Sequence, residues 1–218
     1  MKLSLPKLYL LTYNSLQAFG WTIALFRILS SFISSRSING AYASAGELIC
    51  LLQVAAFLEV IHGALGIVPS GFLFPLMQWG GRTHFVFYVR NIVEVRELPS
   101  VFITFLVWSL AEVIRYSHYA LNCLGNCPSW LTYLRYTAFI VLYPIGILPG
   151  EMWLMYQGIP FAKKNHLYAS LFSALPFSYT DFIKAVLMLY PFLWLRLYLH
   201  LLKQRRSKLG KHHERKRK

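Results

Sequence analysis

The chain is poor in charge, in acid and in every pattern that builds a soluble catalytic centre. Only 14% of its 218 residues are Asp, Glu, Lys or Arg, against about 25% in soluble domains, which excludes an ordinary soluble domain. Its three cysteines, Cys50, Cys123 and Cys127, are too few for a disulfide framework and lack the paired spacing of a zinc site, so they read as reduced and structural. His62, His84, His118, His166 and His200 are scattered, and His212 and His213 fall in a charged tail. No metal centre is therefore expected, and an iron desaturase or hydroxylase has no ligand set. Glycine-rich phosphate loops and Gly-x-Ser-x-Gly elbows are absent, which leaves nucleotide hydrolysis and serine hydrolysis without candidate residues. The first apolar stretch has no small-residue cleavage site and carries Arg27 near its end, so it is expected to be retained rather than removed as a signal peptide.

What the chain does have is apolar length. Hydrophobic residues make up 56% of it, aromatics 17%, and the mean hydropathy is +0.47, which suits a chain whose solvent is partly lipid. The net charge of +14 resembles a nucleic-acid signature until its location is examined. Nine Lys or Arg and one Glu lie between Lys203 and Lys218 and supply +8 of it. The basic character is mostly a tail, and no nucleic-acid partner is expected.

Crossing roughly 30 Å of hydrocarbon takes about 20 apolar residues. Leu8 to Phe32, Glu47 to Val68, Val101 to Leu121, Leu131 to Tyr156 and Phe182 to Leu202 meet that need. His84 to Arg96 is too short and polar to cross unless protein surrounds it, and Pro69 to Thr83 reads as a link. The expected fold is all-α: a polytopic bundle of about six transmembrane helices around an interior cavity, one domain over residues 1–218 with 203–218 as a basic tail. An even count puts both termini on one side, and the Lys/Arg excess after the last span marks that side as cytosolic. Lys163 and Lys164 then fall on the opposite side.

Ionisable groups inside a span cost at least about 2.5 kcal/mol each on insertion scales and usually face the bundle interior. Here they are Glu59, His62, Glu112, Arg115, Arg135 and Glu151. Glu112 and Arg115, one turn apart, read as a structural ion pair, and His62 as a satisfied polar core residue. The most informative segment is Leu131 to Met155, LTYLRYTAFIVLYPIGILPGEMWLM. Tyr143 precedes one proline and Glu151 follows another, so the backbone between them cannot be regular helix, and its freed carbonyls need partners inside protein or beside a cavity. A carboxyl and a phenol held there form an acid/base pair; a kinked span with an interfacial Tyr is the equal alternative on pattern alone.

Four segments occur in an order that resembles the very-long-chain (3R)-3-hydroxyacyl-CoA dehydratases, formerly called protein tyrosine phosphatase-like proteins, whose plant members are known as PASTICCINO 2. They are YLLTYNSLQAFGW (Tyr9 to Trp21), LEVIHGALGIVPS (Leu58 to Ser70), WSLAEVIRYSHYAL (Trp108 to Leu121) and LRYTAFIVLYPIG (Leu134 to Gly146). The resemblance implies a six-helix endoplasmic reticulum enzyme, without cofactor, that converts a 3-hydroxyacyl-CoA to a trans-2-enoyl-CoA in the third step of fatty acid elongation, with membrane lipid and other elongase subunits as partners. The family's catalytic Tyr, in a Tyr-Pro-x-Gly motif, matches Tyr143, and its catalytic Glu matches Glu151. Glu151 follows Tyr143 by eight residues in YPIGILPGE, whereas the family pattern has seven. Seven steps at 100° return to the same helix face and eight overshoot by about 80°, a difference that a helical bulge or kink absorbs.

Phosphatase chemistry fails on the residues, since Gly63 stands where the cysteine nucleophile would be and Pro69 where the arginine would be. The expected roles are Glu151 as base toward C2 and Tyr143 as donor to the C3 hydroxyl, with the reverse equally compatible with the sequence. Arg115, Tyr116, Arg135 and Tyr136 are candidates for binding the CoA phosphates, and Phe105, Trp108, Phe139 and Leu142 for lining the acyl chain. The altered spacing supports a rival reading, a non-catalytic scaffold of the elongase complex, and a lipid carrier is a third.

Overall fold

The computed structural model describes residues 4–216, with side-chain surroundings for residues 4–209. Their regular structure is all helix, with no strand among them. Helix α1, Leu5–Ser35, opens with a proline in its first turn, where the missing N–H has no partner to lose, and stops at Arg36, whose φ of 52° is left-handed. Its buried residues Tyr13, Gln17, Gly20, Ala24 and Ile28 recur every three or four positions. That stripe packs along α5, Pro99–Cys123, and against α2, Ala41–Ala55. After a one-residue break at Ala56, α2 is continued by α3, Phe57–Ala64, so that together they make a span of 24 residues.

Helix α4, Leu73–Asn91, corrects the sequence reading. It begins well before His84, inside the stretch read as a link, and ends before Arg96. Pro75 sits in its first turn, where proline is tolerated, and Arg82 finds a carboxylate partner, Glu112, inside the bundle, so neither ends the helix. Nineteen residues at 1.5 Å each give roughly 28 Å, about the hydrocarbon thickness. It is not among the five stretches long and apolar enough to cross by composition. Its Phe85, Val86, Tyr88 and Val89 are buried in the core, so protein surrounds this part of the polar stretch. A short 3₁₀ turn, Val93–Val95, leads to α5.

The broken span consists of α6, Ser129–Arg135, α7, Phe139–Ile145, a π-helical segment, Gly146–Met152, and α8, Trp153–Lys164. A four-residue α9, Ala169–Phe172, precedes α10, Tyr179–Lys216, which runs on as helix past Leu202. Helix α5 is the most enclosed of the five apolar spans and the scaffold on which the others assemble. Leu16, Phe19, Phe26 and Ile33 of α1 and Met188, Leu189 and Phe192 of α10 are exposed. So much bare apolar surface is unfavourable in water and suits lipid; the chain is a multi-pass membrane protein.

Candidate active site

The π-helical segment resolves the spacing of Tyr143 and Glu151. Two α turns take about seven residues, and a π bulge widens one turn by one residue, so an eight-residue separation brings Glu151 back toward the face of Tyr143. Local chemistry explains the bulge: Pro149 has no N–H to give the helix, and Gly150 lies against α5. A Cβ at Gly150 would stand 2.5 Å from Thr104 Oγ1, closer than real side chains approach.

Both residues line one cavity of about 890 Å³ enclosed by α1, α3, α4, α5, α7 and α10. Glu151 is buried, with 5% of its surface exposed. Trp108 Nε1 donates to its Oε1 at 2.9 Å, and the Tyr190 hydroxyl donates to its Oε2. These two donors come from different helices, α5 and α10, and hold the carboxylate in one orientation. Tyr143 stacks on Tyr198 with ring centroids 6.4 Å apart, and its hydroxyl has no hydrogen-bond partner among the described residues. A fixed carboxylate and an uncommitted phenol therefore share one space.

A chain of alternating charges runs beside this space. Arg82 pairs with Glu112, and Arg115 Nε donates to the other oxygen of Glu112 at 2.6 Å. Arg115 also clamps Glu59 through both terminal nitrogens, at 2.6 and 3.0 Å. Tyr116 donates to Glu59, with Tyr13 near the same oxygen at 3.4 Å, and Tyr9 meets His62 Nε2 at 2.9 Å. Two acids and two arginines balance, as a low-dielectric interior requires. The pair expected from spacing alone is thus half of a four-member network. His62 is satisfied and buried, as expected.

The candidates for phosphate binding divide. Arg115 and Arg135 line the cavity, whereas Tyr116 and Tyr136 do not. Tyr116 is fully buried beneath Glu59, and Tyr136 packs edge-on against His118. Arg135 donates to the Tyr119 hydroxyl at 3.2 Å. Of the residues expected around an acyl chain, Trp108, Phe139 and Leu142 line the cavity, and Phe105 is instead part of the core behind it. Sequence reasoning missed Arg82 and Tyr190 and gave Trp108 only a packing role. Two signals were available: Glu59, Glu112 and Arg115 leave one buried acid without a cation, and Tyr190-Pro191 repeats the Tyr-Pro pattern of Tyr143-Pro144 inside an apolar span. Among the described residues there is no cluster of metal-ligating side chains.

The fold and site together define a polytopic membrane protein with a carboxylate and a phenol lining one cavity within the helical bundle. The chain belongs to the protein tyrosine phosphatase-like family, PTPLA, whose pattern matches residues 53–211. It is 34% identical over 212 residues to mouse very-long-chain (3R)-3-hydroxyacyl-CoA dehydratase 2, a match covering 95% of this chain and 83% of the relative. It is 33% identical over 210 residues to the rice dehydratase PASTICCINO 2A, covering 94% of each, and 35% identical over 164 residues to rice PASTICCINO 2B, covering 74% of this chain and 73% of the relative. No solved structure matches the chain. The family's phosphatase-like label does not extend to the chemistry here: Gly63, at the nucleophile position, is so close to the Gly71 carbonyl that no side chain fits without a backbone shift.

Proposed function

We propose that this protein dehydrates (3R)-3-hydroxyacyl-CoA to trans-2-enoyl-CoA, the third step of very-long-chain fatty acid elongation, in the endoplasmic reticulum membrane with both termini cytosolic. The observation that carries the reading is that Tyr143 and Glu151 line one cavity, with Glu151 oriented by Trp108 and Tyr190 and the Tyr143 hydroxyl uncommitted. The Glu151 carboxylate takes the C2 proton, which the thioester carbonyl acidifies. The electron pair left on C2 forms the C2–C3 double bond as the C3–O bond breaks, and the Tyr143 hydroxyl gives its proton to the departing hydroxide, which leaves as water. Transfer of the proton from Glu151 to the Tyr143 oxygen resets the site. No external oxidant, reductant or cofactor enters this balance.

The cavity runs lengthwise. Tyr190 and Lys208 both line it from α10, and their separation of 18 residues corresponds to roughly 27 Å of helix. Arg135, Gln204 and Lys208 lie toward the basic end of the chain, where the anionic CoA headgroup would stay outside lipid while its thioester arm reaches Glu151. Arg115, held by two carboxylates, acts through the charge network. Other elongase subunits fit the reading as partners in handing on the substrate.

Purified protein in nanodiscs, given 3-hydroxyacyl-CoA of graded chain length, should release enoyl-CoA; none at any length would favour the scaffold reading. The π bulge offers a second check. Gly150→Ala should force the segment off Thr104 and displace Glu151, and because an error of about 1 Å costs up to about 10²-fold, turnover should drop at least about tenfold. Adding Thr104→Ala, which removes the obstructing oxygen, should restore most of it. Failure of that rescue would mean that the bulge does not set the position of Glu151.

A further inference from the structure

Removing a proton from C2 of a thioester pushes negative charge onto the thioester oxygen, and neither Glu151 nor Tyr143 is free to receive it. A pre-set donor at that oxygen is usually the largest single contribution to such reactions. Arg82 is a candidate for that donor. It lines the same cavity as Tyr143 and Glu151, and its Cζ stands 4.6 Å above the ring of Trp108, the residue that holds Glu151.

Arg82 differs from Arg115 in how it is used. Arg115 spends three donors on two carboxylates, whereas Arg82 makes one bond, from Nη1 to Glu112. An arginine has five N–H donors; those remaining on Arg82 have no acceptor among the described residues, and none of its nitrogens is among the sealed-off polar atoms without partners. Arg82 is part of the cavity wall, so these donors are within reach of a ligand held there. The preceding residue, Gly81, also lines the cavity. Glu112 fixes one edge of the fork and the Trp108 ring its face, which orients the free edge in advance.

We infer that Arg82 is a third catalytic residue, whose free N–H groups hydrogen-bond the thioester oxygen of the acyl-CoA and stabilise the enolate formed when Glu151 takes the C2 proton. This rests on the dehydratase reading above. It gives the charge network a second purpose: the network holds a cation at the site, with Glu112 preventing its collapse onto Glu151.

The test uses Arg82→Lys, which keeps the positive charge for Glu112 and so the balance of the network, but loses the planar fork. Two measurements are needed: steady-state dehydration, and the absorption band that a 3-oxoacyl-CoA develops when a site binds it as its C2 enolate. With the full-length protein in nanodiscs, Arg82→Lys should lower kcat by about 10²-fold, the usual loss of one oxyanion donor, with KM within a few-fold. The enolate band of bound 3-oxoacyl-CoA should weaken in Arg82→Lys and persist in Tyr143→Phe, whose proton is needed only at C3. Normal turnover in Arg82→Lys, or lost turnover with an undiminished enolate band, would overturn the inference while the dehydratase reading stood. An unaltered protein that forms no enoyl-CoA would overturn both.

Discussion

Glu151→Gln and Tyr143→Phe should each lower dehydratase turnover by about 10²- to 10⁴-fold, the span typical of a general acid or base, with the helical bundle intact. The structure explains why folding should survive. Glutamine keeps an oxygen for Trp108 Nε1 and can donate its amide N–H to the Tyr190 oxygen, and Tyr190, which lines the cavity, can turn its own proton toward that space. The Tyr143 hydroxyl has no partner to lose, and the ring that stacks on Tyr198 is unchanged in phenylalanine. Because both groups serve one transition state, the double variant should cost far less than the product of the singles. The measurement is single-turnover formation of enoyl-CoA in nanodiscs beside a binding assay with the same acyl-CoA, which should bind each variant. Near-full activity in Glu151→Gln would remove Glu151 from the mechanism.

The same geometry separates what was legible in the sequence from what was not. Five spans could be read because an unbroken apolar run has no other stable home; Tyr143 and Glu151 stood out because prolines beside polar residues in such a run mean either a cavity or a kinked span, and the family resemblance favoured the cavity. Helix α4 could not. Its glycines, Pro75 and Arg82 look like a link until Glu112, 30 residues further on, neutralises the arginine, and no local pattern reveals a partner at that distance. The eight-residue spacing was visible as an irregularity, but whether it spoils or preserves the site depends on Gly150 fitting against Thr104 of another helix. Arg115 looked free for phosphate only because its second carboxylate, Glu59, is 56 residues away.

The buried charges lead to a prediction that spacing alone would reverse. An isolated Glu112–Arg115 pair would make the double substitution of those two residues the mild one. Within the four-member network, Glu112→Gln leaves Arg82 without the carboxylate it pairs with and one cation in excess of Glu59, in a region where Glu112 is only 2% exposed. Uncompensated buried charges of this kind cost about 3–5 kcal/mol, so Glu112→Gln should fold poorly. Adding Arg82→Gln removes the stranded cation and leaves the bidentate Arg115–Glu59 pair untouched, so Arg82→Gln with Glu112→Gln should be clearly more stable than Glu112→Gln alone. Adding Arg115→Gln instead strands Arg82 without a carboxylate and Glu59 without its arginine, so Glu112→Gln with Arg115→Gln should gain nothing over the single. The readout is thermal unfolding and monodisperse yield in nanodiscs, independent of activity, because Arg82 variants are expected to be slow whatever their stability. If the Glu112–Arg115 double variant is the stable one, Arg82 is not a member of the network, and the charge it holds beside Glu151 must be balanced by some other group.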